Sequence, residues 1–224
     1  VSAPLIVGLD VADRPATVVG GGTVAARKVQ RLLDSGAVVT VVAPALDPAL
    51  GAAADAGRLA WRARGYAAGD LAGAMLVVAA TDDPATNAAV AADAEEGGMW
   101  CVRADAGDAG GGPPARGSAA FAATVQRGPL QLAVSTGGGG PALAAHIARE
   151  LAQRYGPEWG ELAALLGELR ADPAVASALA GCDEAERARR WRSVLAADTL
   201  TYLRTGDRPR AREVALSCLS SPSG

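Results

Sequence analysis

Residues 17–29 read Thr17-Val18-Val19-Gly20-Gly21-Gly22-Thr23-Val24-Ala25-Ala26-Arg27-Lys28-Val29. A β-branched apolar run enters a glycine cluster and leaves as a helical pattern. Gly20, Gly22 and Ala25 fit G-x-G-x-x-A, a variant of the dinucleotide-binding fingerprint. Gly20 permits the tight turn. Gly22 lets backbone N–H groups approach a pyrophosphate with no Cβ in the way. Ala25 is small enough for the helix to pack closely on the strand. The helix N-terminus then faces the phosphates with its partial positive charge. Glycine-rich turns also serve geometry alone; the strand before and the helix after favour the phosphate reading.

Working outward, residues 1–111 alternate strand and helix patterns, as one dinucleotide-binding domain would. Leu5–Leu9 reads as a short apolar strand and Val24–Leu33 as a helix closed by Gly36. Val38–Val42 is a β-branched run suited to a strand buried on both faces. Leu59–Arg62, Met75–Ala80 and Met99–Arg103 are further strands, and Pro84–Ala94 a helix. The alternation predicts an α/β fold with a parallel, doubly wound, Rossmann-like sheet.

The pattern changes after Asp105. Residues 107–117 form a Gly/Pro loop without periodicity. Ala119–Val125 and Leu130–Ser135 read as paired strands, and Pro141 opens a helix carrying Leu143, His146, Ile147 and Leu151 on one face. Helical patterns continue with Leu162, Leu165, Leu166 and Leu169, then Trp191, Val194, Leu195, Leu200 and Leu203. The expected division is a small β-rich dimerisation region at 112–145, a helical C-terminal domain at 146–216 and a frayed tail at 217–224. The middle region is too small to fold alone, which favours a homodimer.

Composition narrows the class. Aromatics are only 4% of 224 residues, so the core is built from Val, Leu and Ala. The net charge of −3 gives no global field for nucleic acid. No apolar run reaches the roughly 20 residues of a membrane span, and the first residues lack a signal-peptide core. Cys101, Cys182 and Cys218 are isolated, without metal-ligand spacing, so a reduced cytoplasmic protein is expected.

Ligands of a doubly wound sheet collect beyond the carboxyl ends of its strands. At the end of the Val38–Val42 strand the usual ribose-binding acid is missing, and Pro44 stands near its place. Asp47 reads as a helix N-cap. No arginine follows that strand, which favours NAD over NADP. Asp83 reads as a helix cap before Pro84, while Thr81 and Asp82 are within the cofactor's range. Asp105 differs because no helix follows for it to cap. A carboxylate at that strand end can take a proton while a nicotinamide takes a hydride. Gly137–Gly140 before Pro141 is either a second anion site at a helix N-terminus or a flexible connection. His146 and Arg149 follow on that helix and are candidates for carboxylate binding.

Several blocks occur together in order: Val18-Val19-Gly20-Gly21-Gly22, Val41-Val42-Ala43-Pro44, Ala79-Ala80-Thr81-Asp82-Asp83, Ala133-Val134-Ser135-Thr136-Gly137-Gly138 and Gly140-Pro141-Ala142-Leu143-Ala144. Over residues 5 to about 205 the chain resembles the precorrin-2 dehydrogenase family, the dehydrogenase/ferrochelatase module of siroheme synthase. The resemblance implies a homodimer with an NAD-binding Rossmann domain, a dimerisation region and a helical cap. It implies NAD-dependent oxidation of precorrin-2 to sirohydrochlorin, with ferrous iron inserted by some members. The cofactor positions it carries over are Gly20, Gly21, Gly22, Thr23, Val24, Pro44, Ala45 and Thr81. The catalytic aspartate falls on Asp105. For the acidic tetrapyrrole, Arg103, Thr136, Gly137, His146 and Arg149 are the candidate binding residues, with Arg116 and Arg127 as further cations. Val102 stands where the family has Asn, the loop after Asp105 is longer, and the Phe121 segment lacks the family's proline. No methyltransferase segment follows, so a stand-alone form is expected. A rival reading is an NAD-sensing regulatory module without turnover, which has no use for a base at Asp105.

Overall fold

The computed structural model describes residues 5–104 and 117–220. The chain divides into two units, Val1–Phe121 and Ala122–Gly224.

The first unit holds β1 (Pro15–Val19), α1 (Thr23–Asp34), β2 (Val38–Val42), α2 (Pro48–Asp55), β3 (Ala60–Arg62), β4 (Leu76–Ala79), α3 (Pro84–Glu96) and β5 (Trp100–Arg103). The strands form one parallel sheet in the order β3-β2-β1-β4-β5. This is the Rossmann-like architecture expected from the alternation. Alternate strand residues feed two cores. Val18, Val39, Val41 and Val78 face α1 with Val29 and Leu32, whereas Val19, Val77 and Ala79 face Val90 and Ala94 of α3. Val18, Val41, Val77 and Val78 are fully buried, each stabilising the fold by about 1.5–3 kcal/mol.

Helix α1 shows how local sequence sets a boundary. Ala25, Val29 and Leu32 repeat at helical spacing and are buried. Gly36 adopts φ +78°, so its N–H reaches the Leu33 carbonyl and that of Ala37 reaches Leu32, closing the helix as its sequence predicts.

Two expectations for this unit change. Residues 5–10 are irregular, and Leu5, Ile6, Val7 and Leu9 are exposed. An apolar run becomes a strand only where a sheet edge accepts its hydrogen bonds. The β5 edge is met instead by the segment after residue 116. Cys101 donates its N–H to Ser118 Oγ at 2.9 Å, and Ala119 pairs in parallel with Val102. The expected strand from Ala119 is therefore split, its first residues belonging to β5. Phe121 then lies under Lys28 and Arg31 of α1, at 4.8 and 5.0 Å from its ring centre. Burial and the two neighbouring cations lower the Lys28 pKa.

The second unit begins with the antiparallel pair β6 (Ala123–Arg127) and β7 (Leu130–Val134), joined by Gly128-Pro129 with Gly128 at φ +51°. Helices α4 (Pro141–Arg154), α5 (Pro157–Ala171), α6 (Pro173–Ala178), α7 (Glu184–Ala196), α8 (Thr199–Arg204) and α9 (Arg208–Ser220) follow. Among the described residues, five helices open on proline, whose missing N–H costs nothing at a first turn. Leu162, Leu165, Leu169, Val194, Leu203, Ala215 and Leu219 form the helical core. Leu195, expected in that stripe, is exposed.

The hairpin packs on α4 and α5 of its own chain. Arg127 donates Nε to the Tyr155 carbonyl at 3.1 Å and Nη2 to Ala152 at 3.0 Å, so it holds the end of α4. A Cβ on Gly160 would lie 2.3 Å from the Arg127 carbonyl, which is why α5 carries glycine there. Arg127 is thus a structural cation, not one available to a substrate. The buried face of α4 is Ala144 and Ala148, while Leu143 and His146 are exposed. The small side chains let the hairpin approach, and that overrides the larger stripe. Residues 217–220, expected to fray, continue α9, because Leu219 is fully buried.

Candidate functional site

The glycine turn lies at the carboxyl edge of the sheet, between β1 and α1. Its three glycines meet different surroundings. Gly20 takes φ +123°, and a Cβ there would sit 2.2 Å from the Ala80 carbonyl oxygen. A Cβ on Gly21 would sit 2.0 Å from the Ala45 carbonyl oxygen. On Gly22 it would meet nothing within 4 Å. Two glycines therefore let the ends of β4 and β2 close on the turn, and the third faces open space. Gly22 is also the N-cap of α1, without a side-chain cap and without an acid in the first turn. Thr23 and Val24 are exposed beside it. An uncapped helix start behind an open glycine is a geometry that accepts an anion such as a pyrophosphate.

The loops around the turn are held in place. After β2, Asp47 donates its N–H to the Gly21 carbonyl at 2.6 Å. Its carboxylate accepts Ala49 N–H at 3.0 Å, the N-cap bond of α2, and the Thr23 hydroxyl at 3.3 Å. Pro44 and Ala45 are exposed between these anchors. Trp61 Nε1 donates to the Ala43 carbonyl at 2.9 Å, fastening β3 to the same loop.

After β4, Thr81 is gripped by Asn87, which is fully buried and which the sequence reading passed over. Asn87 Oδ1 accepts Thr81 N–H at 3.0 Å and lies 2.8 Å from its hydroxyl, while Nδ2 donates to the Thr81 carbonyl at 2.9 Å. Asp83 caps α3, accepting the Ala85 and Thr86 N–H groups and the Thr86 hydroxyl. Those bonds, the Thr86 hydroxyl first, lower its pKa.

A second group was not legible from spacing. Asp70, buried, accepts Arg62 Nη1 at 2.7 Å, both terminal nitrogens of Arg64 at 2.6 and 2.7 Å, and Ala67 N–H at 2.9 Å. The Arg64 bonds above all hold its pKa down, at about 2.

The other predicted residues divide between the units. Arg103 ends β5, and Ala104 donates to the Ala79 carbonyl at 2.9 Å, so the chain stays at the carboxyl edge there. Asp105 and Arg116 lie outside the described residues. In the second unit, the Thr136 hydroxyl accepts Gly140 N–H at 3.1 Å and Ser135 Oγ accepts Gly137 N–H at 3.2 Å. Gly137 and Gly138 both have positive φ. His146 pairs with Glu150 at 3.4 Å on the exposed side of α4, and Arg149 lies back on the Ala145 carbonyl at 3.4 Å.

Residues 7–111 match a family model described as NAD(P)-binding, and residues 127–154 match one described as sirohaem biosynthesis protein, central. Siroheme synthase 1 of Aeromonas salmonicida is 37% identical over 99% of this chain and 45% of its own length. Over nearly its whole length the chain is similar to siroheme synthases and to a precorrin-2 dehydrogenase. Siroheme synthase of Pseudomonas putida is 46% identical over 68% of the chain and 32% of its own length. A solved precorrin-2 dehydrogenase superposes with a TM-score of 0.67 at 25% identity, covering 97% of this chain and all of that one. The chain spans less than half the length of the siroheme synthases it matches. Both family models fall where the fold separates, one on the sheet unit and one on β7 and α4.

Proposed function

We propose that the chain oxidises precorrin-2 to sirohydrochlorin, with NAD as the acceptor. The observation that carries this reading is the glycine turn: Gly20 and Gly21 are packed shut against Ala80 and Ala45, while Gly22 opens at an uncapped helix start. The likeness to siroheme synthases and to a precorrin-2 dehydrogenase supports precorrin-2 as the substrate.

Bound there, NAD would supply a hydride acceptor. The first-turn N–H groups of α1, beyond Gly22, would hold the pyrophosphate, and Thr23 and Val24 would line it. Pro44 and Ala45 would border the adenosine ribose, and Thr81, fixed by Asn87, the opposite side. Oxidation removes one hydride and one proton from precorrin-2, so a base must take the proton. Our candidate for that base is Asp105, the next residue in sequence after Ala104. Arg103, Thr136, Gly137, His146 and Arg149 are the residues proposed for the substrate's carboxylates. A homodimer and a cytoplasmic location belong to the same reading. The exposed run Leu5, Ile6, Val7 and Leu9 supports the first, and the scattered positions of Cys101, Cys182 and Cys218 along the sequence support the second. Among the described residues, no helix is long and apolar enough to cross a membrane.

The test is purified protein with precorrin-2 and NAD, followed by the sirohydrochlorin spectrum and NADH absorbance rising together. Asp105→Ala should slow turnover by roughly 10² to 10⁴ while NAD still binds. A chain that binds NAD but never yields NADH with precorrin-2 is instead the sensing module.

A further inference from the structure

We infer that Asp47 is the residue that makes this site select NAD over NADP. The inference rests on the dinucleotide reading above. In such a fold the adenosine ribose lies at the carboxyl end of the second strand, where an acid holds the 2′-hydroxyl or a nearby arginine accepts a 2′-phosphate. By sequence, the acid is missing from the end of β2. The fold restores one from five residues further on.

Three contacts bring it there. Gly21 lacks a Cβ, so the Ala45 carbonyl closes on the turn, and Asp47 N–H bonds the Gly21 carbonyl. The Asp47 side chain then reaches across 24 residues of chain to the Thr23 hydroxyl, on the first residue of α1. A cap of α2 alone would need only the bond to Ala49. The carboxylate therefore stands between the loop after β2 and the first residue of α1, still partly exposed. It has lone pairs left to accept a ribose hydroxyl and a charge that repels a 2′-phosphate on that ribose.

The arginines at the end of β3 are engaged by another acid. Val42 of β2 pairs with Arg62 of β3, so Arg62 and Arg64 stand at the neighbouring strand end. Both are tied to the Asp70 carboxylate. The edge that receives the ribose thus presents an acid, and the arginines at the end of β3 already share a counter-charge.

Calorimetric titration with NAD and with NADP, without tetrapyrrole, tests this directly. The native chain should bind NADP at least tenfold more weakly than NAD, about 1.4 kcal/mol. Asp47→Asn keeps the capping geometry and removes the charge. It should close most of that gap, by tightening NADP and by weakening NAD, whose ribose hydroxyl loses a charged acceptor. Raising the salt should narrow the gap in the native chain and leave it unchanged in the variant. Asp47→Ser serves in the same way should the amide not fold. A native chain that binds NAD, with a ratio to NADP unmoved by either variant, overturns the role of Asp47 and leaves the cofactor site standing. Equal native affinities overturn it as well. A native chain that binds neither dinucleotide overturns the cofactor reading itself.

Discussion

Asn87 closes both backbone groups of Thr81 with one amide, accepting its N–H at 3.0 Å and donating to its carbonyl at 2.9 Å. The two residues are six apart, at the end of β4 and inside α3. The loop over the glycine turn is therefore shaped by a side chain that is itself fully buried. Replacing Asn87 with Leu leaves two backbone groups without that partner. The expected loss is about 2 kcal/mol of stability, read by urea denaturation. NAD affinity should fall several-fold in the same preparation, and unchanged affinity would separate the Thr81 loop from the cofactor.

The three glycines should fail in different ways. Gly22→Val meets open space, so the variant should fold and lose at least about tenfold in NAD affinity. Gly21→Ala drives a methyl group into the Ala45 carbonyl, and Gly20→Ala into that of Ala80. These two should lose about 3 kcal/mol or more of stability before any ligand is added. Thermal melts beside NAD titrations distinguish the two classes. A folded Gly22→Val that binds NAD normally removes the phosphate from this turn.

Asp70 predicts an acid limb. Its folded pKa of about 2 lies below the ordinary carboxylate value, chiefly because of Arg64. The group therefore stabilises the fold fully above about pH 4, and that contribution disappears as the pH falls through about 2. Asp70→Asn should cost about 2 kcal/mol at neutral pH, since the two arginines remain half exposed and hydrated. The variant should also show a flatter stability profile between pH 4 and 2. An identical acid profile in both proteins would place the titration elsewhere.

In the helical unit, Arg190 is buried and joins two helices. Its Nη2 meets Glu186 at 2.6 Å within α7, and its Nη1 donates to the Leu219 carbonyl at 3.0 Å, near the end of α9. Arg190→Leu removes the partner of that carbonyl and leaves Glu186 unpaired, an expected cost of about 2–3 kcal/mol. Glu186→Gln should cost about 1 kcal/mol, because the carbonyl bond survives. Equal losses from both would show that the bond to Leu219 contributes nothing.

Local chemistry determined much of this protein. The β-branched run Val38–Val42, the glycine turn into α1, the stop at Gly36 and the prolines that open five helices each act within a few residues. The Asp83 cap and the leucine stripe of α5 were legible for the same reason. Tertiary structure decided what depended on a distant partner. Leu5–Leu9 has a strand's composition, but the β5 edge went to Ala119. Arg127 looked like a free cation until the carbonyls at the end of α4 claimed it, 25 and 28 residues away. Asp47 is spelled as a helix cap, and only the close approach of Gly21 to Ala45 carries its carboxylate to Thr23. Periodicity and turn residues report how a segment folds on itself. Which polar groups meet across the sheet's edge is set by packing between elements, and no spacing along the chain records it.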